Sequence, residues 1–148
     1  IAVTNLALEI AEKLQFKGLK IDLQLVEAGA MLHDLGRSET HTVNHSLVGV
    51  QIAQKIGLPI SVINIIKRHV GAGITSKEAE LLGWPKDNYI PQTLEEKVVC
   101  YADKLINHDR VESVDVELVK LQKQGMFEAA ERVSKLHEEI IGLIGEQI

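Results

Sequence analysis

Apolar side chains recur along the chain at intervals of three and four residues, which is the spacing of one face of an α-helix. Polar or glycine-containing breaks separate the periodic segments, and cap residues such as Asp22 and Asn44 precede two of them. Helices are predicted over residues 1–16, 22–36, 44–55, 60–70, 76–82, 93–107, 115–124 and 126–145. No segment shows the alternation typical of a strand. The pattern therefore predicts an all-α bundle of about six to eight helices.

Composition, net charge and cysteine content indicate which classes of protein are compatible with the sequence. The 148 residues are 45% hydrophobic and only 3% aromatic, which favours a single helical domain. The absence of a run of about eighteen uncharged apolar residues argues against a membrane span. A net charge of −5, from 16 basic and 21 acidic residues, argues against a nucleic-acid partner. Cys100 has no second cysteine to pair with, which favours a reducing, cytoplasmic location.

Ionisable side chains occupy inward or helix-end positions in four of the predicted segments. These residues are His33, Asp34, His45, His69 and Asp103. Asp103, for example, lies four residues after Val99 and three before Ile106, on one apolar face. Each residue alone is also explained as a hydrogen-bonded core histidine or a paired carboxylate. Together they form the imidazole and carboxylate set that binds divalent transition metals, so a metal site in the bundle core is predicted.

Four ordered motifs resemble those of one family. The segment Ala28–Arg37 (AGAMLHDLGR) resembles the His-Asp signature of the HD-domain superfamily of metal-dependent phosphohydrolases, with Arg in place of the common Lys. Tyr101–Leu105 (YADKL) resembles the family's final ligand motif. His45–Gly49 (HSLVG) resembles the His-x-x-x-Gly element of the two-metal branch, and Arg68–Gly71 sits where that branch places its next histidine. The resemblance covers about residues 1–107.

The chain departs from the family pattern at two places. The family begins with a histidine on the first helix, and Val3–Ala7 resembles the stretch that follows it. We therefore expect an N-terminally truncated chain whose first ligand histidine lies just before Ile1. No Gly-Tyr-Pro element follows His69, so specificity for cyclic di-GMP is not implied. The expected organisation is one domain over 1–148, with the metal-site core in 1–107 and C-terminal helices in 108–148.

The resemblance implies a hydrolase, specifically a metal-dependent phosphohydrolase or phosphodiesterase. Its substrate would be a nucleotide or another small phosphoester, attacked by a metal-activated water. His33, Asp34 and Asp103 would bind one ion, Asp34 would bridge, and His45 and His69 would serve a second ion. One or two divalent ions are expected, with Mn, Fe, Ni, Co, Zn and Mg all open.

Cationic side chains beside the ligand motifs are the remaining catalytic candidates. Asp34, Arg37 and Lys104 are the predicted catalytic residues. Arg37 follows the helix-ending Gly36, and its guanidinium can bind phosphate through two hydrogen bonds. His41 is a weaker candidate at the site entrance, and His137 is predicted at the surface.

Two other classes of function remain open at this stage. A di-iron oxygenase of the same fold would use the same ligands, and the identity of the bound metal would distinguish it. A non-catalytic sensing module is the third class. The expected partner is a small molecule, no membrane contact is predicted, and a homodimer is left open.

Overall fold

A computed structural model describes residues 1–146. Its eight α-helices are α1 (Ala2–Phe16), α2 (Leu23–Leu32), α3 (His45–Lys55), α4 (Ile60–Lys67), α5 (Ser76–Leu82), α6 (Leu94–Leu105), α7 (Val114–Lys123) and α8 (Phe127–Ile144). Two short 3-10 turns lie at Leu35–Ser38 and Val70–Ala72, and two-residue strands β1 (Ile106–Asn107) and β2 (Arg110–Val111) form an antiparallel hairpin. The all-α prediction is confirmed. None of the described helices combines the length and apolar character needed to cross a bilayer.

Helix α6 is the central element of the core. It contacts α1, α2, α4 and α8, and its residues 98–102 are all buried. The same apolar cluster includes Ile10 and Leu14 of α1 and Val133 and Ile140 of α8. Burying side chains of this size contributes roughly 1.5–3 kcal/mol each relative to leaving them exposed. The packing fixes the C-terminal end of α6, which carries Asp103, against the ends of α2 and α4.

Helix α4 ends earlier than the sequence pattern indicates. It stops at Lys67, so His69 lies beyond the helix instead of on its inward face as predicted. Three residues with positive φ follow, at 61° for Gly71, 58° for Ala72 and 101° for Gly73. Glycine adopts this backbone conformation without steric cost, which explains why the chain leaves the helix here. The turn brings the buried His69 imidazole toward α3.

The prediction that helix 93–107 continues to its last residue is also wrong, because α6 ends at Leu105. The chain instead forms the β1–β2 hairpin, with Ile106 opposite Val111. His108 at the tip of the hairpin has a φ of 58°, a conformation that His tolerates better than most residues. A two-residue strand is too short to show an alternating pattern, so periodicity does not predict the hairpin.

The 3-10 turn before α3 packs on that helix through glycine. A Cβ atom added to Gly36 would overlap the His45 carbonyl oxygen and lie 2.6 Å from the amide nitrogen of Gly49. A Cβ atom on Gly49 would in turn lie 2.8 Å from Cγ2 of Ile66. Only residues without side chains permit this approach. It holds Asp34, which precedes the turn, beside the first residue of α3, His45.

Candidate metal centre

The structure brings all five predicted ligands together at one end of the bundle. His33 caps the C-terminus of α2 and Asp34 follows it, His45 opens α3, His69 follows α4, and Asp103 lies in the last turn of α6. These residues form two groups of three, and within each group the candidate ligand atoms all lie within 4.8 Å of one another. One group is His33, Asp34 and Asp103; the other is Asp34, His45 and His69. Asp34 belongs to both groups and so joins the two halves.

The three imidazoles lie below the protein surface, whereas the shared carboxylate reaches it. His33, His45 and His69 are buried, while the Asp34 side chain is 44% accessible. A cleft of about 410 Å³ opens on His33 and Asp34. Its other walls are the start of α1, Met31 and the hairpin tip at His108 and Asp109. The arrangement gives a ligand access to the carboxylate while the rings stay fixed.

Each imidazole is oriented by a hydrogen bond from Nδ1 to a backbone carbonyl three residues earlier. The pairs are His33 with Ala30 at 2.6 Å, His45 with Thr42 at 2.9 Å, and His69 with Ile66 at 2.6 Å. A carbonyl oxygen only accepts, so Nδ1 must carry the proton in each pair. In a neutral ring the Nε2 lone pair is then free and directed into the site. Metal-binding histidines in proteins are held in the same way.

The two Nε2 atoms of the second group show how well the site fits a cation. His45 Nε2 and His69 Nε2 are 2.9 Å apart, and Asp34 Oδ1 lies 3.4 and 3.6 Å from them. With both Nδ1 atoms protonated, two neutral rings would direct lone pairs at each other beside a carboxylate. A shared cation or an added proton removes this repulsion. In the first group, His33 Nε2 lies 3.2 Å from Asp103 Oδ1 and 3.3 Å from Asp34 Oδ2.

The same contacts shift the pKa values of the acidic and basic groups. Burial alone would lower the pKa of His33, but its hydrogen bonds to Asp103 and Asp34 outweigh this effect and raise the pKa to about 10. Burial would raise the pKa of Asp34, yet its contacts with His33, His45 and His69 hold that pKa well below its usual range. The pKa of Asp103 is also held low, by the Lys104 charge and the His33 hydrogen bond, against the effect of burial. Burial lowers the pKa of His69.

These shifts predict that metal binding releases a proton. At pH 8 the metal-free protein holds a proton on His33, because the pKa of that residue is raised to about 10. A ligand imidazole must be neutral, so binding a divalent ion at pH 8 should release about one proton, and metal affinity should rise with pH up to about 10. Calorimetry in two buffers of different ionisation enthalpy measures the released protons. A binding enthalpy that is the same in both buffers would contradict the prediction.

Arg37 and Lys104 each contact a candidate ligand carboxylate. Arg37 Nε lies 3.3 Å from Asp34 Oδ1, and its terminal nitrogen donates to the His41 carbonyl at 3.3 Å. Lys104 Nζ lies 3.5 Å from Asp103 Oδ2, and its side chain is only 14% accessible. The mostly buried Lys104 therefore stabilises the negative charge of Asp103 from inside the protein, whereas Arg37 lies at the exposed rim of the site. The His41 ring belongs to neither group of candidate ligands within residues 1–146.

His137 and Arg68 make contacts that the sequence pattern does not indicate, and the prediction for His137 is wrong. His137, predicted at the surface, is partly buried and hydrogen-bonds through Nδ1 to the Tyr101 hydroxyl at 2.6 Å. Arg68, the residue before His69, pairs with the buried Glu96 at 2.8 Å. Both contacts join segments that are far apart in the sequence, and periodicity within one helix carries no signal of them.

Comparisons with known proteins add a family and several relatives. Residues 1–108 match the model of the HD domain family. A tRNA (cytidine(56)-2′-O)-methyltransferase of Thermoplasma volcanium is 40% identical over 147 residues, which are 99% of this chain and 42% of that protein. A protein of the same name from Picrophilus torridus is 41% identical over 127 residues, 86% of this chain and 37% of that protein. An uncharacterized protein of Methanocaldococcus jannaschii is 39% identical over 146 residues, 97% of this chain and 86% of that protein.

The chain spans about two fifths of the length of the two methyltransferases. No solved structure matches the chain.

The relatives overturn two expectations drawn from the sequence. The methyltransferases are named for methylation of a tRNA cytidine, not for hydrolysis of a small phosphoester, so the phosphohydrolase prediction and its small-molecule substrate are wrong. Their named substrate is tRNA, so the argument against a nucleic-acid partner is wrong as well. The net charge of −5 led to the second error, because it averages over the whole surface and omits the charge that bound cations add.

Proposed function

The chain belongs to the HD domain family, and on this premise we propose that it is the metal-binding part of a tRNA-modifying enzyme. In this proposal it binds divalent cations and, through them, the tRNA that is methylated at a ribose 2′-oxygen. Support comes from the likeness to two tRNA methyltransferases over 86% and 99% of the chain. The observation that carries the proposal is that five buried or half-buried ligands form two groups around Asp34. The methyl transfer itself is left to parts of the relatives that this chain does not match.

The ligand set indicates which ions the site would hold. His33 and Asp103 would hold one ion, His45 and His69 a second, and Asp34 would contact both. Three imidazoles with two carboxylates suit Mn, Fe, Co, Ni or Zn better than Mg, which prefers oxygen ligands and bound water. When bound, these ions supply positive charge that can accept an RNA phosphate or ribose oxygen.

Electrostatics explains why the proposed RNA contact depends on the metal. Without bound cations the cleft presents the carboxylates of Asp34 and Asp109 on a protein of net charge −5, which disfavours a polyanion. Arg37 at the rim is already engaged with Asp34. Lys104 is likewise paired, with Asp103. Bound divalent ions would add positive charge directly at the cleft.

The proposal extends to the organisation and location of the chain. We infer one domain, because Val133 and Ile140 of α8, outside the family match, are buried in the same cluster as Ile10 of α1. The last two residues of the 148-residue domain predicted from the sequence lie outside the described part of the chain. A tRNA partner also agrees with the cytoplasmic location expected from Cys100.

Binding of labelled tRNA by the metal-loaded chain tests the proposal. Fluorescence anisotropy with an unmodified tRNA transcript, in constant Mg²⁺ to keep the RNA folded, compares Mn²⁺-loaded protein with protein stripped by a chelator. We expect the loaded protein to bind at least about tenfold more tightly, since charge-assisted contacts contribute about 1.5–3 kcal/mol each. The matched control is an RNA of equal length that lacks the loop containing cytidine 56. Equal affinity with and without bound Mn²⁺, or no binding by the loaded protein, would refute the function.

A further inference from the structure

The irregular segment between α5 and α6, residues 83–93, contacts the residue that immediately precedes each histidine of the second group. Trp84 Nε1 donates to Asn44 Oδ1 at 2.7 Å, and Asn44 directly precedes His45. Arg68 Nε donates to the Asn88 carbonyl at 3.1 Å, and Arg68 directly precedes His69. One short piece of chain therefore holds the backbone in front of both imidazoles.

We propose that the 83–93 segment is a positioning element for the His45–His69 half of the metal centre. It sets the affinity for the ion held there without changing the affinity for the ion held by His33, Asp34 and Asp103. The inference rests on the proposed metal-binding function and adds a determinant that lies outside both ligand groups.

The contact between Trp84 and Asn44 replaces a local interaction that asparagine usually makes. Asn44 occupies the N-cap position of α3, yet its side chain makes no capping hydrogen bond there. It accepts from Trp84 instead, and its backbone amide donates to Thr42 Oγ1 at 3.2 Å. The Thr42 carbonyl accepts from His45 Nδ1 at 2.9 Å. Trp84 thus reaches the His45 ring through Asn44 and Thr42.

The indole that makes this contact is itself held in place. Trp84 is buried, and its ring packs edge-on against Tyr89 with centroids 5.1 Å apart. The Tyr89 hydroxyl donates to the Pro85 carbonyl at 2.6 Å. A donor with so little freedom fixes its acceptor at small entropic cost, because the partner is already ordered.

Arg68 plays the corresponding role for His69. Its guanidinium donates to the Glu96 carboxylate at 2.8 Å as well as to the Asn88 carbonyl. Glu96 is buried and also accepts from the Gln92 amide at 2.9 Å, which ties the end of the segment to the same carboxylate. Helix α4 has ended before His69, so these side-chain bonds substitute for the missing helical hydrogen bonds.

The other half of the centre is held differently. Among the side-chain hydrogen bonds of residues 1–146, none links the 83–93 segment to His33, Asp34 or Asp103. His33 is the C-cap of α2, and Asp103 lies within α6. Regular helices therefore hold these ligands, and loss of the Trp84 contact should leave them in place. This difference makes the proposal testable one ion at a time.

The test is a calorimetric titration of metal-free protein with Mn²⁺, with bound metal counted by elemental analysis. Trp84→Phe keeps a smaller aromatic ring and removes the N–H donor, and Asn44→Ala removes the acceptor. We expect each substitution to lower the affinity for one of the two ions about 3- to 10-fold, the equivalent of one hydrogen bond, and to leave the affinity for the other ion unchanged. The double substitution should lower the affinity no further than either single substitution does. Asn44→Asp keeps the acceptor and should therefore retain at least wild-type affinity. Gln92→Ala is the matched control, because this exposed side chain bonds only to carbonyls within the segment.

Several results would overturn the proposal. Trp84→Phe or Asn44→Ala could lower the affinity for both ions equally, or could leave the titration unchanged. Asn44→Asp could also fail to bind with wild-type affinity. Should Trp84→Phe fail to fold, the exposed Asn44 still provides the Ala and Asp pair. A wild-type chain that binds a single ion also overturns it, since no separate half-site would exist. A wild-type chain that binds no ion refutes the proposed function instead, so the two failures are distinguishable.

Discussion

Asp34→Asn is expected to lower the affinity for both divalent ions by more than about 100-fold. Asp34 Oδ1 lies 3.4 Å from His45 Nε2, and Oδ2 lies 3.3 Å from His33 Nε2, so one carboxylate faces both groups. Replacing it by a neutral amide removes a charge from each half-site and directs N–H donors toward the ligand nitrogens. Changes to residues that only orient a ligand cost 10- to 100-fold in metal affinity, and loss of a shared ligand should cost more.

Metal content by elemental analysis and Mn²⁺ titration measure this effect. Circular dichroism should show the helices unchanged, because Asp34 is partly exposed and lies outside α2. Glu39→Gln is the matched control, since it removes an exposed carboxylate five residues away and belongs to neither ligand group. Two ions bound with wild-type affinity to Asp34→Asn would show that the carboxylate does not bridge.

Gly36→Ala should destabilise the fold by about 3 kcal/mol, near the upper end of the range for overpacking. The added Cβ would overlap the His45 carbonyl oxygen, which is a backbone atom, and the Cβ itself is fixed rigidly to the backbone of residue 36. A flexible side chain cannot absorb the clash, so the 3-10 turn must move away from α3. Since Asp34 and His45 flank this contact, the same substitution should also weaken metal binding.

Urea unfolding of the metal-free protein separates the two effects. The matched control is Gly142→Ala in α8, where an added Cβ meets no atom within 4 Å. There the better helix propensity of alanine should stabilise the protein, by up to about 1 kcal/mol. A Gly36→Ala protein as stable as wild type would mean that the turn and α3 separate easily, contrary to the packing described.

Helical periodicity indicated part of the group of candidate metal ligands. His33 and Asp103 face inward at positions that helical periodicity fixes, and the structure places both beside Asp34. His69 shows the limit of this reasoning. Its inward position was inferred from a helix that ends two residues earlier, and the glycine-rich turn that directs it into the site has no periodic signal.

Contacts between distant segments were beyond the sequence pattern. Asn44 was expected to cap α3, but burial of Trp84 forty residues later draws its side chain away. Glu96 lies three residues after the N-cap Thr93, where a glutamate can bond back to the cap amide, but its carboxylate bonds to Arg68 and to the Gln92 amide. Local propensity and tertiary packing compete for the same polar groups at both positions, and packing prevails.

The error about function has a different origin. The motifs indicated correctly that the chain is an HD domain, but a shared fold carries many activities and does not determine the substrate. The five candidate ligands are compatible with several metal-dependent roles. The tRNA relatives, which no single motif in this chain reveals, changed the proposed partner.

Trp84 is the only tryptophan in the sequence, and its indole N–H is hydrogen-bonded to the side chain of Asn44, the residue before His45 of the proposed centre. The protein therefore contains its own spectroscopic probe. Its fluorescence originates from a single, structurally defined position, so occupancy of the neighbouring half-site can be followed in dilute solution without attaching a dye.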